Sequence, residues 1–177
     1  YTHYSRPQGH GYTGATLAEY TRAFARAARD VDPKCKILGG IGAISEGRIM
    51  EHFRDFFAAG GLAAVDAVDI HHYPRTRPPE FIEPLLEKLN ALMDEHGGRK
   101  PMWLTEYGYY ADDEPWAVPM PHEGFNRPLR SEALQCAYVV RWTTLCLANG
   151  VEKFFYHAGT CDSVNRDSLQ GIFYEFE

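Results

Sequence analysis

Side chains that could do chemistry cluster at the ends of three short, mostly apolar runs of the sequence. A carboxylate can act as a nucleophile or a proton-transfer group, a histidine can carry a proton, and aromatic faces stack on flat apolar ligand surfaces. A single acid at the end of one strand is as easily a solvated surface group as a functional one, so its role must be inferred together with the residues around it. The residues at these ends are His71, His72 and Tyr73, then Glu106 and Tyr107, then Tyr156 and His157.

The elements that would position these residues alternate along the chain. Helical spacing, capping residues and Gly or Pro stops predict helices over 16–33, 45–61, 79–98 and 131–150. Short apolar runs predict strands over 34–40, 63–74, 101–108 and 151–159. Alternation of this kind favours an α/β fold with a parallel sheet and right-handed crossovers. Four strands would form either a small open sheet or half of an eight-stranded barrel.

Local signals define the first helix in more detail. Thr16 and Glu19 form a capping-box pattern, which predicts that the helix begins there. Leu17, Tyr20, Phe24 and Ala28 then recur at helical spacing and predict its apolar face. By the same signals, Ser45 is a predicted cap of the second helix, and the third helix has a predicted inner stripe of Ile82, Leu85, Leu86, Leu89 and Met93.

Parallel α/β folds bind ligands at the carboxyl ends of their strands. The three groups of polar and aromatic residues all lie at such ends, so the sequence predicts that they converge. Period-two alternation places His71 and Tyr73 on one face of their strand and His72 on the other. Each residue taken alone has a structural explanation; their common position favours a site.

Two short motifs within these runs resemble a known family. "DIHHYP" (69–74) and "WLTEYG" (103–108) look like strands six and seven of the clan A glycoside hydrolases, which are retaining (β/α)8 barrels. The segments 20–40 and 135–159 are also similar to that clan, especially to its xylosidase- and cellulase-like members. The resemblance implies that residues 1–177 form a single partial domain, the C-terminal half of a TIM-type (β/α)8 barrel from helix four to strand eight. Strands one to four would then be absent from this chain.

The resemblance also implies catalytic roles. Glu106 matches the nucleophile at the end of strand seven. Tyr73 matches the tyrosine that hydrogen-bonds the nucleophile, and His71 matches a histidine beside the sugar or the acid.

Aromatic residues are the candidates for substrate binding. The clan places an aromatic residue, often Trp, beneath the sugar late in strand eight, and Tyr156 is the nearest match here. Tyr107 and His157 accompany it at the strand ends. Trp116, in a long loop rich in proline and acids, is a further candidate for stacking on a sugar.

A retaining mechanism needs two carboxyl groups roughly 5–5.5 Å apart. In the clan the second one follows an asparagine at the end of strand four, and this sequence contains no Asn-Glu dipeptide. We therefore expect this chain to carry the nucleophile half of an enzyme that cleaves a plant or microbial oligo- or polysaccharide. The other half would come from a longer polypeptide, from another barrel half or from self-association.

Two alternatives remain open at this level. One is a catalytically inactive barrel fragment that binds carbohydrate through the same aromatic residues. The other is an unrelated four-stranded α/β hydrolase or scaffold, although a GxSxG elbow is absent from the sequence. The second alternative would be favoured if Glu106 and Tyr73 lay on different faces of the sheet.

Composition argues against several other classes. The net charge is −6 and Lys and Arg form no dense run, which argues against nucleic acid as a partner. No apolar stretch is long enough for a membrane span, and the first residues lack a signal-peptide pattern, so the sequence leaves localisation open between cytoplasmic and secreted or periplasmic.

Metal and redox chemistry also lack sequence support. HExxH is absent and adjacent strand residues such as His71 and His72 point to opposite faces, so no metal site is expected. Carboxylate chemistry needs no cofactor. Without a CxxC pair, buried free thiols are the favoured state of the four cysteines, with disulfides left open; they are Cys35, Cys136, Cys146 and Cys161.

Overall fold

The chain folds into alternating helices and strands. The structure, a computed structural model, describes residues 13–43, 48–109, 111 and 129–156. The helices are α1 (Gly14–Val31), α2 (Arg48–Ala58), α3 (Gly61–Ala64), α4 (Glu83–Glu95) and α5 (Glu132–Ala148). The strands are β1 (Leu38–Ala43), β2 (Ala67–His72), β3 (Met102–Tyr107) and β4 (Val151–Tyr156). A 3₁₀ turn, Pro79–Ile82, precedes α4.

The four strands form one parallel sheet in the order β1-β2-β3-β4. This confirms the predicted α/β class with a parallel sheet. A sequential order with crossovers of one hand places the crossover helices on one side of the sheet. Helix contacts agree with that layout, since α1 packs on α2, α2 on α4, and α4 on α5. Sequential β/α units of this kind are the repeating element of (β/α)8 barrels.

The hydrophobic core lies between the sheet and these helices. The predicted inner stripe of α4 is confirmed, because Leu85, Leu86, Leu89 and Met93 are buried together with Ile82 from the 3₁₀ turn. Phe53, Phe56 and Phe57 contribute the apolar face of α2.

The start and the buried face of α1 differ from the prediction. Its N-cap is Thr13, whose hydroxyl accepts the Thr16 N–H, so Thr16 is already inside the helix. The buried face consists of small residues, namely Gly14, Ala18, Thr21 and Ala25. Of the predicted apolar face, Leu17 and Ala28 are half-buried and pack against the core, whereas Tyr20 and Phe24 are 56% and 65% exposed. Small residues are favoured here because α1 and α2 approach closely: a Cβ on Gly14 would meet the His52 carbonyl and lie 2.7 Å from Phe56 N.

Other predicted boundaries also shift. β1 begins four residues later than the predicted strand start at 34, because 35–37 make no ladder, and α3 takes the beginning of the segment 63–74. The cysteine prediction is correct only in part: Cys146 is buried and free, Cys35 is half-buried, and Cys136 is exposed on α5. Cys161 and the predicted cap Ser45 lie outside the described residues. Within the described ranges, no helix is both long and apolar enough to cross a membrane.

Candidate active site

A β-bulge in β3 determines which face of the sheet carries Glu106. Ile70 pairs with Leu104, but the next residue of β2, His71, pairs with Glu106, so Thr105 is the extra residue. A bulge of this kind re-aims the side chains that follow it. Thr105 and Glu106 therefore both face the side that carries Asp69 and His71, whereas regular alternation would have turned Glu106 away.

Glu106 lies between two side chains of β2 and the residue just after it. The Tyr73 hydroxyl donates to Glu106 Oε1. His71 Nδ1 lies 3.4 Å from Glu106 Oε2, and the two side chains are 21% and 31% exposed. The carboxylate is thus held from both oxygens while a part of it stays open to solvent. Glu106 and Tyr73 share one face, which is opposite to what the unrelated-scaffold alternative requires.

A second carboxyl group, which the sequence reasoning missed, lies on the same face. Asp69 is 8% exposed, and the hydroxyl of Thr105 donates to its Oδ1. Burial raises the pKa of Asp69 above its ordinary value; Thr105 and His71 oppose the rise, and the charge of Glu106 adds to it. Period-two spacing could have found this residue, because Asp69, His71 and Tyr73 alternate on one face of the strand.

The opposite face of the strand ends packs against α5. Trp142 is fully buried, stacks on Tyr107 at 4.7 Å between ring centroids, and lies parallel to His72 at 6.1 Å. The predicted separation of His72 from His71 is therefore confirmed. Tyr107 is 6% exposed, and burial raises the pKa of its hydroxyl. The structure thus does not bring Tyr107 together with Glu106.

Tyr156 also lies on the α5 side of the sheet. Its ring meets Tyr107 edge to face at 5.2 Å. Its hydroxyl donates to the Tyr109 carbonyl and accepts from Gln135 Nε2 at 3.0 Å. Although Tyr156 is 40% exposed, its ring packs against buried Tyr107, on the face of the sheet opposite to Glu106.

The Glu106 face continues onto β4 through other residues. Lys153 Nζ lies 3.9 Å from the ring centroid of Trp103, which is on β3. Phe154 packs on Tyr107 and Trp142, so Phe155 shares the face of Lys153 and is 49% exposed there. Trp116 and His157 lie outside the described residues. In the described part of the chain, no group of three or more His, Cys, Asp or Glu side chains is arranged to hold a metal ion.

Solved structures similar to this chain include proteins described as galactanases, an arabinofuranosidase and a glucosidase. One chain from a description of two fungal β-1,4-galactanases matches at TM-score 0.62 and 17% identity, over 95% of this chain and 53% of its own length. AbfB, a family 51 α-L-arabinofuranosidase from Bifidobacterium longum, matches at TM-score 0.62 and 11% identity, over 86% and 36%. A glucosidase from Croceicoccus marinus matches at TM-score 0.55 and 20% identity, over 82% and 28%.

At these identities the likeness establishes the fold, that of TIM-barrel glycoside hydrolases, and the chain spans about half or less of the length of each of these proteins. A comparison with curated proteins gave no match. The sequence model of one family, described as the glycosyl hydrolase catalytic core, matches residues 18–165. The chain therefore belongs to the glycosyl hydrolase catalytic core family.

Proposed function

We propose that this chain carries the nucleophile of a retaining glycoside hydrolase and that Glu106 is that nucleophile. The observation that carries the proposal is the pair of contacts on its carboxylate, from the Tyr73 hydroxyl to Oε1 and from His71 at 3.4 Å to Oε2. They lie at the carboxyl ends of parallel strands, where barrel enzymes bind their substrates. Membership of the family gives a carbohydrate as the substrate class.

The reaction would proceed in two displacements. In the first, a carboxylate oxygen of Glu106 attacks the anomeric carbon, the glycosidic C–O bond breaks, and a second carboxyl group protonates the departing oxygen. In the second, that group takes a proton from water, the water oxygen attacks the anomeric carbon, and the Glu106 carboxylate is released. Configuration is retained because each displacement inverts it once.

Tyr73 and His71 would orient the nucleophile. A carboxylate on a strand end can rotate, and two contacts on its different oxygens restrict it to one plane. The exposed fraction of Glu106, 31%, leaves room for a sugar to approach the same group. Orientation of this kind contributes to rate by presenting reacting atoms in a near-attack geometry.

The acid/base carboxyl group would come from the remainder of the barrel. Asp69 is a poor candidate for it, because it is 8% exposed and its Oδ1 accepts from Thr105. A carboxyl group that is buried in this way is not accessible to a leaving-group oxygen. Trp116 stays a candidate for stacking on the sugar on sequence grounds, and Trp116→Ala should then weaken substrate binding.

Covalent trapping tests the assignment without needing the acid/base group. The full-length polypeptide is incubated with 2,4-dinitrophenyl 2-deoxy-2-fluoro glycosides of glucose, galactose, xylose and arabinose, whose leaving group departs unprotonated. Peptide mass mapping should find the glycosyl ester on Glu106. Glu106→Gln should abolish the label, whereas Glu95→Gln, a change at an exposed glutamate ending α4, should leave it intact.

Three results would contradict the proposal. A label on a peptide without Glu106 would place the nucleophile elsewhere. Binding of the sugars without any label would favour the inactive carbohydrate-binding barrel. If none of the four sugars either labels or binds the protein, the support for carbohydrate chemistry at this face is removed.

A further inference from the structure

The position of Glu106 depends on one extra residue in its strand. Trp103 faces Lys153, Leu104 is buried in the core, and Thr105 returns to the face of Trp103. Strict alternation would turn the next side chain, Glu106, into the core with Leu104. The bulge at Thr105 prevents this, because both Thr105 and Glu106 stay on the face of Asp69 and His71.

A bulge leaves its extra residue outside the regular ladder, so something else must hold it. Here the side chain of Thr105 donates to Asp69 Oδ1 on the neighbouring strand. Asp69 is itself 8% exposed and belongs to the regular part of the ladder, where it pairs with Trp103. The bond therefore ties the irregular residue of β3 to a fixed point on β2.

We infer that Asp69 is a positioning residue for the nucleophile: by accepting the Thr105 hydroxyl it holds the β3 bulge in the register that presents Glu106 to Tyr73 and His71. Asp69 acts through Thr105 and touches no substrate. The buried carboxyl group and the bulge are thereby linked through one hydrogen bond. The catalytic consequence depends on the proposed function, whereas the structural part does not.

Two variants of Thr105 isolate this bond. Thr105→Val keeps the shape and removes the hydroxyl, and Thr105→Ser keeps the hydroxyl and removes the methyl group. The pair Asp69→Ala and Asp69→Asn repeats the comparison from the other partner, because the Asn amide oxygen still accepts from Thr105. If Thr105→Val does not fold, the Asp69 pair answers the same question.

The first measurement reads the geometry without turnover. In the full-length polypeptide labelled with [¹³Cζ]tyrosine, the Tyr73 resonance is assigned by its absence in Tyr73→Phe. Its shift reports the hydrogen bond from Tyr73 to Glu106. Thr105→Val and Asp69→Ala should move this resonance toward that of a solvent-exposed tyrosine, whereas Thr105→Ser and Asp69→Asn should leave it in place.

The second measurement reads the consequence for chemistry. With a 2-fluoro glycoside that labels the wild type, Thr105→Val should lower the saturating rate of trapping by about tenfold or more. The glycoside concentration that gives half of that rate should change by less than about twofold. Thr105→Ser should restore the rate. A Tyr73 resonance that does not move in Thr105→Val or Asp69→Ala would overturn the inference. If no sugar labels the wild type but the resonance responds as expected, the proposed function fails and the positioning role of Asp69 stands.

Discussion

Replacing Tyr73 by phenylalanine removes the hydroxyl that donates to Glu106 Oε1 and leaves the ring in place. The contact from His71 remains, but its 3.4 Å separation is longer than an ordinary hydrogen bond. In Tyr73→Phe the carboxylate of Glu106 would therefore lose the donor on Oε1 and keep the longer contact on Oε2. We expect it to sample orientations that do not face the anomeric carbon.

The magnitude follows from the kind of bond that is lost. A hydrogen bond to a charged group contributes about 1.5–3 kcal/mol, which corresponds to a factor of roughly 10–150 in an equilibrium or rate constant. Part of that energy also stabilises the resting carboxylate, whose charge is consumed in the attack. We therefore expect a loss near the lower end, about tenfold, in the saturating rate of glycosyl-enzyme formation.

A matched control exists on the other side of the sheet. Tyr109 is fully buried, and its hydroxyl donates to the Arg77 carbonyl at 2.9 Å, away from Glu106. Tyr109→Phe makes the same chemical change and should lower the free energy of unfolding by about 1 kcal/mol without slowing trapping. The assay measures the rate of 2-fluoro glycoside labelling for both variants, together with urea unfolding followed by circular dichroism.

Equal trapping rates in Tyr73→Phe and wild type would refute the reasoning, because the bond would then have no role in presenting the nucleophile. Equal slowing by Tyr73→Phe and Tyr109→Phe would also refute it, since the loss would then reflect general destabilisation. If only the glycoside concentration at half of the saturating rate changes, Tyr73 would be assigned to binding the sugar instead.

Three further predictions concern stability. Trp142→Ala should lower the free energy of unfolding by about 3–5 kcal/mol. Trp142→Phe should lower it by only about 1.5 kcal/mol, from roughly 60 Å² less buried apolar area, because Trp142 Nε1 has no acceptor among the described residues and no hydrogen bond is lost. An equal cost for both variants would contradict this packing. Gly14→Ala should cost about 1–3 kcal/mol by overpacking, read from the urea midpoint. The third prediction is measured by urea midpoints between pH 2.5 and 7. The Ile37 N–H lowers the pKa of Asp66, so the stability that Asp66 provides is lost as pH falls below 3.8. Burial raises the pKa of Asp69, so stability falls as pH rises above 3.8. Asp66→Asn and Asp69→Asn should each remove the corresponding slope, and unchanged slopes would contradict the assignments.

Sequence patterns were sufficient for the elements that rest on local physics. The alternation of helical and strand periodicity predicted the parallel sheet, and the stripe from Ile82 to Met93 predicted the buried face of α4. The patterns failed where two elements approach closely. Of the apolar face predicted for α1, Leu17 and Ala28 pack against the core. Tyr20 and Phe24 are exposed, because the contact of α1 with α2 needs small side chains such as Gly14.

The substrate-binding candidates show a similar limit. Tyr107 and Tyr156 directly adjoin Glu106 and His157 in the sequence, but adjacent strand positions point to opposite faces. Both rings lie on the α5 side, around Trp142 in the case of Tyr107. Proximity along the chain predicted which strand end they occupy and did not determine which face they occupy.

By itself the sequence determined that a carboxylate, a histidine and a tyrosine end neighbouring parallel strands, because strand periodicity and the order of elements are local properties. The tertiary structure alone decided that they meet. Strict alternation from Met102 would turn Glu106 into the core, and only the pairing of β3 with β2, with Thr105 as the extra residue bonded to Asp69, places it against His71 and Tyr73. A bulge arises from contacts between strands distant in sequence, so the physical reason for the site lies in a register that no single strand encodes.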